Sequence, residues 1–577
     1  MTERSHRNNI RRYLIWLTTG AVLSVSGLIV STNSVHADPH LDKLAKLGTL
    51  LEEKLNSNQE KALSAGGLNL ISVSKHFSRF DFRDLKTQQR ELAEVSASAS
   101  QSPAAGQVND PYAAEDFASR LLGMTQSETS AARCGRNVAI GFNDSGSFAA
   151  TAFLGVNPSG GLSFQGWARS TNSGQSYVDQ GAMFVADPPA GVTTRDLFGD
   201  PVLGCTSPET FYYASLATDI LDNEDQVSAI AVSRSTDAAN TFPRTVLAVG
   251  KSGSEHFLDK PWMAVEPGPT SAPSDDVIHV SYTDFDFSDA SAGCGEDART
   301  AIEYVRSTDG GATWGAPVTM SEVCGFDPLV QGSQVEVGLN DDVYVAWQQW
   351  AGFPGPTDVR IRRSTNLGSS FGPARVVDTV TPIGDGYSVQ GNFRTFIALQ
   401  GLAVDTSRTA SRGNIYVTWH DGRFRSQPDP VGGCDGPRYC FGDALLARSA
   451  NNGNNWATAV RVNNDDIRRG IDQIFPALDV DSSGTVWVGY YDRRWDDRNF
   501  LIDFVVARST NRGSTFSNTR ATRNSFAPVT GWQDIVVNPA YMGDYLAVAS
   551  DRLGAPGVIT AWGDNSRGDA NVLHRRY

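Results

Sequence analysis

Cysteine and histidine are scarce in this chain of 577 residues: there are six of the first and eight of the second, and no two cysteines stand in a Cys-x-x-Cys spacing. A structural zinc site, which needs clustered thiolates and imidazoles, is therefore not expected. Positive charge is also in deficit, with 49 Lys and Arg against 64 Asp and Glu and a net charge of −15. That balance argues against a general nucleic-acid or membrane-surface binder and favours solubility. Charged residues are only 20% of the total, too few for a disordered or coiled-coil chain. After the first 37 residues, no apolar run is long enough to cross a bilayer. What is plentiful is glycine, at 55 residues, and aromatic side chains, at 10%. Together they indicate a turn-rich globular protein long enough for two or three domains or one large repeat architecture.

The N-terminus carries four arginines in "MTERSHRNNIRRY", then the apolar core "LIWLTTGAVLSVSGLIV", then a small residue at Ala37. This order predicts a signal peptide over 1–37, with an uncleaved anchor helix as the alternative. Arg11-Arg12-Tyr13-Leu14 also fits a loose twin-arginine pattern. Export to the cell surface, periplasm or medium, as a monomer free of the membrane after cleavage, is the expectation. An even number of cysteines in an exported chain predicts disulfides. Residues 38–93 form a second segment. Leu41, Leu44, Leu47, Leu51 and Leu55 recur at three- and four-residue steps, the spacing of an amphipathic helix. Residues 94–119 are small, polar and proline-bearing and read as a linker.

From 120 to 577 the chain is periodic. One phrase recurs six times, as "STNSGQSY" (170–177), "STDAANTF" (235–242), "STDGGATW" (307–314), "STNLGSSF" (364–371), "SANNGNNW" (449–456) and "STNRGSTF" (509–516), with starts 57 to 85 residues apart. Each copy follows a β-branched or apolar strand such as "AIEYVRS" or "FVVARS" and precedes another, and two further strands come before it. Four antiparallel strands per repeat make a propeller blade. The phrase is then the hairpin turn between the third and fourth strands. Its fifth residue is suited to positive φ, and its Asp or Asn (Asn172, Asp237, Asp309, Asn366, Asn451, Asn511) binds turn amides. Its aromatic folds back to add buried area. Seven first strands can be counted, so an all-β, seven-bladed propeller is predicted, with six blades as the alternative. The last unit has three strands, and "LNLISVS" (68–74) is a candidate to supply the fourth.

The pattern S-x-[DN]-x-G-x-x-[WFY] resembles the Asp-box, or bacterial neuraminidase repeat, of sialidases and their relatives, with Ala239 replacing glycine in the second copy. The resemblance covers 120–577 and implies a β-propeller. It also implies a glycoside hydrolase acting on extracellular glycans or glycoproteins, with three arginines on the substrate carboxylate, a tyrosine nucleophile and a carboxylic acid/base. On that basis Arg394, Arg423 and Arg493 are the expected clamp and Tyr491 the nucleophile. Asp144 or Asp286 is the expected acid. His420 is a candidate base, and Asp421, Asp492 and Asp544 line the same opening. The family's Phe/Tyr-Arg-Ile-Pro motif has no counterpart, since the corresponding strand reads "QSETSAAR". A non-catalytic glycan- or protein-binding propeller and a polysaccharide lyase remain the alternatives.

Blade topology places the starts of first strands and the ends of second strands on one face, the mouth, and the repeated turns on the other. The mouth therefore also collects Asp200, Asp259-Lys260, Gln331 and Gln334. The same layout puts Cys294 and Cys324 together on the mouth face and Cys134 and Cys205 together on the far face. It puts Cys434 and Cys440 inside one mouth loop, 421–443. No cofactor is required by this reading. "DVDSSG" (479–484) resembles a calcium loop, but its position between first and second strands makes it a turn. "HDGR" and "YDRR" at strand ends have an alternative reading as ion pairs that brace the blades.

Overall fold

The structure is a computed structural model. It describes residues 125–577 apart from 271, 289–293, 295–297, 326–327, 353–356, 385–387, 392, 425–439, 529–541 and 567–569. Of the earlier chain it describes 106–108 and ten residues between 48 and 71, so the expected signal peptide lies outside the described residues.

Seven antiparallel sheets follow one another along the chain, and each packs on the next to form a seven-bladed propeller. The first blade is typical: Gln126–Cys134, Asn137–Asp144, Gln165–Ser170 and Val178–Ala182 pair in sequence order. First strands of the others are Val192–Leu197 continued by Val202–Cys205, His256–Glu266, Leu329–Val337, Leu399–Val404, Gln473–Val480 and Ala547–Ser550. Alternating side chains of neighbouring sheets interlock, so the hydrophobic core lies between blades. Between the third and fourth blades, for example, Ile302 and Tyr304 pack with Val335, Val345 and Trp347. Trp347, Trp350, Trp419 and Trp562 are all buried in such cores.

Ring closure differs from expectation. The three-stranded last blade gains its outer partner from residues 106–108: Val108 N–H donates to Val572 O (2.9 Å), and His574 N–H donates to Gly106 O (2.9 Å). Leu68 and Ile71, in the segment read as a candidate closing strand, are helical instead. Val108 then packs with Val138 and Phe142 of the first blade and Ile559 of the last, tying the chain's two ends together.

The repeated turns behave as their residues require. In each copy the serine hydroxyl donates to the Asp or Asn carboxyl or amide oxygen and accepts the N–H of the fifth residue. In the third copy these distances are 2.7 Å from Ser307 to Asp309 and 2.9 Å from Gly311 N. The fifth residue is left-handed throughout, including Ala239 at φ 57° beside Gly311 at 78°. The "DVDSSG" segment is also a turn. Asp481 accepts from Ser483 N (2.9 Å), Ser483 Oγ (2.5 Å), Trp487 Nε1 (2.9 Å) and Gly557 N (2.9 Å), which occupies its oxygens with protein donors.

Two of the expected disulfides are present, Cys134–Cys205 and Cys294–Cys324. Cys440 is also disulfide-bonded, while Cys434 lies outside the described residues. Among the described residues no helix is long and apolar enough to cross a membrane.

Candidate functional site

Near its mouth end the first strand of five blades carries a register shift of one residue, and in the second blade the strand is broken at the same level. The extra residue is Glu128, Lys260, Gly332, Gln400 or Phe475, with Asp200 in the broken strand and Gly543 ahead of the last blade. Such a bulge bends the strand and re-aims a side chain, here towards the propeller axis. Glu128 (φ 54°), Asp200 (55°), Lys260 (50°) and Phe475 (54°) hold left-handed backbones that side chains rarely adopt. Each costs on the order of 1–3 kcal/mol and persists only where the surroundings impose it. The fit at Gly543 is tight, because a Cβ there would stand 2.5 Å from Glu128 Cγ. Behind this ring runs an axial cavity of about 100 Å³, lined by the first strands of all seven blades.

The bulges gather four carboxylates, Glu128, Asp200, Asp259 and Asp544, around Lys260, all of them buried. Asn143 Nδ2 donates to Glu128 Oε2 (2.6 Å), Asp544 N to Glu128 Oε1 (2.6 Å), and Asp200 N to Asn143 Oδ1 (2.9 Å). Burial pushes Glu128 well above the usual carboxylate range, and the charges of Asp200 and Asp544 push it further. Burial also raises Asp200, with the Lys260 charge opposing. The two carboxyls share a side-chain hydrogen bond, which raises Glu128 further and works against the rise at Asp200. Asp259 is pushed up to about 7 by burial and by Asp200, even though Gln331 Nε2 donates to it at 2.8 Å. The Lys260 ammonium makes no hydrogen bond and lies 3.5 Å from the centre of the Tyr545 ring.

The chain's own N-terminal segment covers this cluster. Ser64 N and Oγ donate to the two oxygens of Asp259 at 2.7 and 2.5 Å, and Leu63 O accepts from Arg394, which also pairs with Asp544. Leu51, Leu55, Leu63, Leu68 and Ile71 pack into a core with Phe257, Phe285, Trp350 and Phe396.

The residues expected from sequence are dispersed around this centre. Of the three arginines only Arg394 reaches the axis. Arg423 pairs with Asp378 (2.9 Å) and Asp421 (2.8 Å), and Arg493 is enclosed, donating to Asn499 O and Gln390 O at 2.8 Å. No common carboxylate-sized opening joins the three among the described residues. Tyr491 is buried among Phe393, Phe504 and Phe526, its hydroxyl donates to Gly563 O (2.7 Å), and burial holds its pKa far above neutrality. Asp144 caps the short helix Ser145–Ala149, accepting from Gly146 N (2.9 Å) and Ser147 Oγ (2.5 Å). His420 bonds through Nε2 to Thr395 O (2.9 Å), and burial lowers its pKa to about 4. Asp492 pairs with Arg494 (2.6 Å). Asp286 sits with His256 and Asp284, their ligand atoms within 4.8 Å of one another. That trio is already neutralised by Lys251 on Asp284 (2.8 Å) and Arg299 on Asp286 (2.9 Å). Of the residues given roles by the resemblance, Asp544 and Arg394 belong to the axial ring, where they join Asp200, Asp259 and Lys260 of the expected mouth. Sequence reasoning set Glu128 aside with the strand "QSETSAAR". The proline that follows the bulge residue in "GDPV", "DKPW" and "IFPA" marks Asp200, Lys260 and Phe475, but Thr129 follows Glu128, so that signal does not reach it.

No family model and no curated protein matches the sequence. Among solved structures the chain is similar to a Hadza microbial sialidase, at 12% identity over 71% of this chain and 73% of that one, with a TM-score of 0.38. It is similar to a polysaccharide lyase, an ulvan lyase, at 10% identity over 78% and 91%, TM-score 0.41. It is also similar to an α-L-arabinofuranosidase from Fusarium graminearum, at 11% identity over 63% and 88%, TM-score 0.39. The likeness to all three lies in the fold alone.

Proposed function

We propose that this protein is an exported glycoside hydrolase acting on extracellular glycans, with its acid/base chemistry carried by the axial carboxylates. The observation behind this reading is the buried cluster of Glu128, Asp200, Asp259 and Asp544 around Lys260, in which burial raises the proton affinity of Glu128, Asp200 and Asp259. Two carboxyl groups held in opposite protonation states are what glycosidic cleavage needs. Glu128 gives its proton to the departing glycosidic oxygen as the C–O bond breaks. The water that forms the new C–O bond gives up its proton to the remaining carboxylates of the axial cluster, and Lys260 steadies the anionic charge. Asp259 and Arg394 hold sugar hydroxyls and acceptor groups. Sialosides are the first substrates to test because of the repeated turn motif, although the arginines do not form a trio.

A second reading, a binding propeller without chemistry, draws support from the rim, where Arg423, Arg494, Lys251 and Arg299 are each neutralised by a local carboxylate.

The test is turnover of a fluorogenic sialoside and a panel of other fluorogenic glycosides, with released-sugar analysis on polysaccharides. Glu128→Gln and Asp200→Asn are each expected to lower turnover by about 10³-fold without loss of folding. Turnover that survives both substitutions, or none on any glycan either by the wild-type chain or by Gly67→Val, which disturbs the chain's own cover over the cluster, removes the hydrolase reading.

A further inference from the structure

The segment over the axial ring makes contacts that a ligand would make. Ser64 sets two donors, an N–H and an O–H, on the two oxygens of one carboxylate at 2.7 and 2.5 Å. That is the pattern a pair of vicinal sugar hydroxyls would present. The adjoining carbonyl of Leu63 accepts from the Arg394 guanidinium, which also pairs with Asp544. Three residues on, Gly67 lies flush against the Phe257 ring, and a Cβ there would come within 2.9 Å of Phe257 Cε1. Leu68 N–H donates back to Ser64 O (3.0 Å), so the contacts come from one helical turn. Leu63, Leu68 and Ile71 then bury their side chains on mouth-end aromatic residues. Among the described residues, none of the seven blades takes a strand from 48–71. The blades are built from 125–577 and closed by 106–108, so the described residues of this turn add apolar packing at the mouth without contributing a strand to any blade.

We propose that the turn carrying Leu63, Ser64, Gly67, Leu68 and Ile71 is an intramolecular plug that occupies the glycan site and holds the enzyme inactive until it is displaced. The inference rests on the axial reading of the site but adds its regulation. A ligand offering two neighbouring hydroxyls competes for the same carboxylate as Ser64.

Two full-length variants test this. Ser64→Asp places a carboxylate against Asp259, and Gly67→Val drives a side chain into Phe257 while leaving the axial groups unchanged. The first probe is a fluorescein-labelled synthetic peptide of residues 48–72. It is expected to bind either variant at least tenfold more tightly than the wild-type chain, whose site is filled, and the peptide carrying Ser64→Asp is expected not to bind. Equal peptide binding by all three chains, or none by both variants while they remain folded by circular dichroism, overturns the plug. The second readout is turnover of the fluorogenic glycosides, expected to rise at least tenfold in Gly67→Val. Peptide binding as described with no turnover on any glycoside keeps the plug and overturns the hydrolase reading.

Discussion

The two ends of the propeller are built on opposite plans. At the turn end, six hairpins repeat the same serine, the same Asp or Asn and the same left-handed fifth residue, and in each the serine hydroxyl bonds within its own turn. At the mouth end, the same backbone position recurs in blade after blade, but it carries Glu128, Asp200, Lys260, Gly332, Gln400, Phe475 and Gly543. Their partners come from other blades and from the N-terminal segment. Repetition thus marks the end that holds the fold together, and variation on a fixed, strained position marks the end that meets a ligand. Left-handed backbones of non-glycine residues occur at both ends: the fourth turn residue is Ser173, Ala238, Leu367, Asn452 or Arg512 in five copies, and the mouth has Glu128, Asp200, Lys260 and Phe475. The difference is burial, since these fourth turn residues are at least partly exposed while the mouth residues are buried, three of them charged.

This contrast can be broken from either side. Loss of turnover on neutralising Glu128 or Asp200, about 10³-fold, is the largest expected effect and should leave thermal stability near wild type. Cys134→Ser, at the turn end, should do the reverse. The bridge closes a separation of 71 residues, so its loss should cost about 3–4 kcal/mol in chemical denaturation. Glycoside turnover of the folded fraction should be unchanged. A comparable loss of turnover would couple the two ends and dissolve the comparison.

His420 gives an effect of similar or smaller size. Its folded pKa is depressed from 6.5 to about 4 by burial, so the neutral ring is the stable one. Its contribution is full above 6.5 and is lost as pH falls towards 4, up to about 3 kcal/mol. Replacement by glutamine should make the acid-side loss of stability shallower by that amount, measured by denaturant titration at pH 6.5 and pH 4. An unchanged slope would contradict the buried neutral assignment. The smallest effect is expected at Ala239, at φ 57° the one fifth residue of the six turns that is not glycine. Ala239→Gly should raise stability by about 0.5–1 kcal/mol, and the converse Gly513→Ala should lower it by at least as much.

Much of the architecture was legible because its signals are local. A turn needs eight consecutive residues, and six copies at regular distances give the blades, their order and the face on which each cysteine lies. Two of the expected disulfide pairings followed from that layout alone. The site was legible in location more than in chemistry. Asp200, Asp259, Lys260 and Asp544 fall at the first-strand starts where the mouth was expected. The residues weighted most heavily, however, were drawn from the resemblance. Arg423 and Asp421, like Arg494 and Asp492, stand two apart at a strand end, close enough to pair with each other, and they do. Tyr491 alternates inward on its strand and is swallowed by the core. The docking of Ser64 on Asp259 spans 195 residues and leaves no periodic trace, so only the folded chain reveals it. The closing strand at 106–108 was hidden similarly, since its pairing with Val572 and His574 uses backbone groups that any sequence supplies.

The most direct test of the axial ring as the working centre is turnover of fluorogenic glycosides by Gly67→Val beside the double variant Gly67→Val/Asp200→Asn. The first is expected to release product at least tenfold faster than the wild-type chain and the second about 10³-fold slower than the first. Equal rates in the two variants would place the chemistry elsewhere on the propeller and contradict the account.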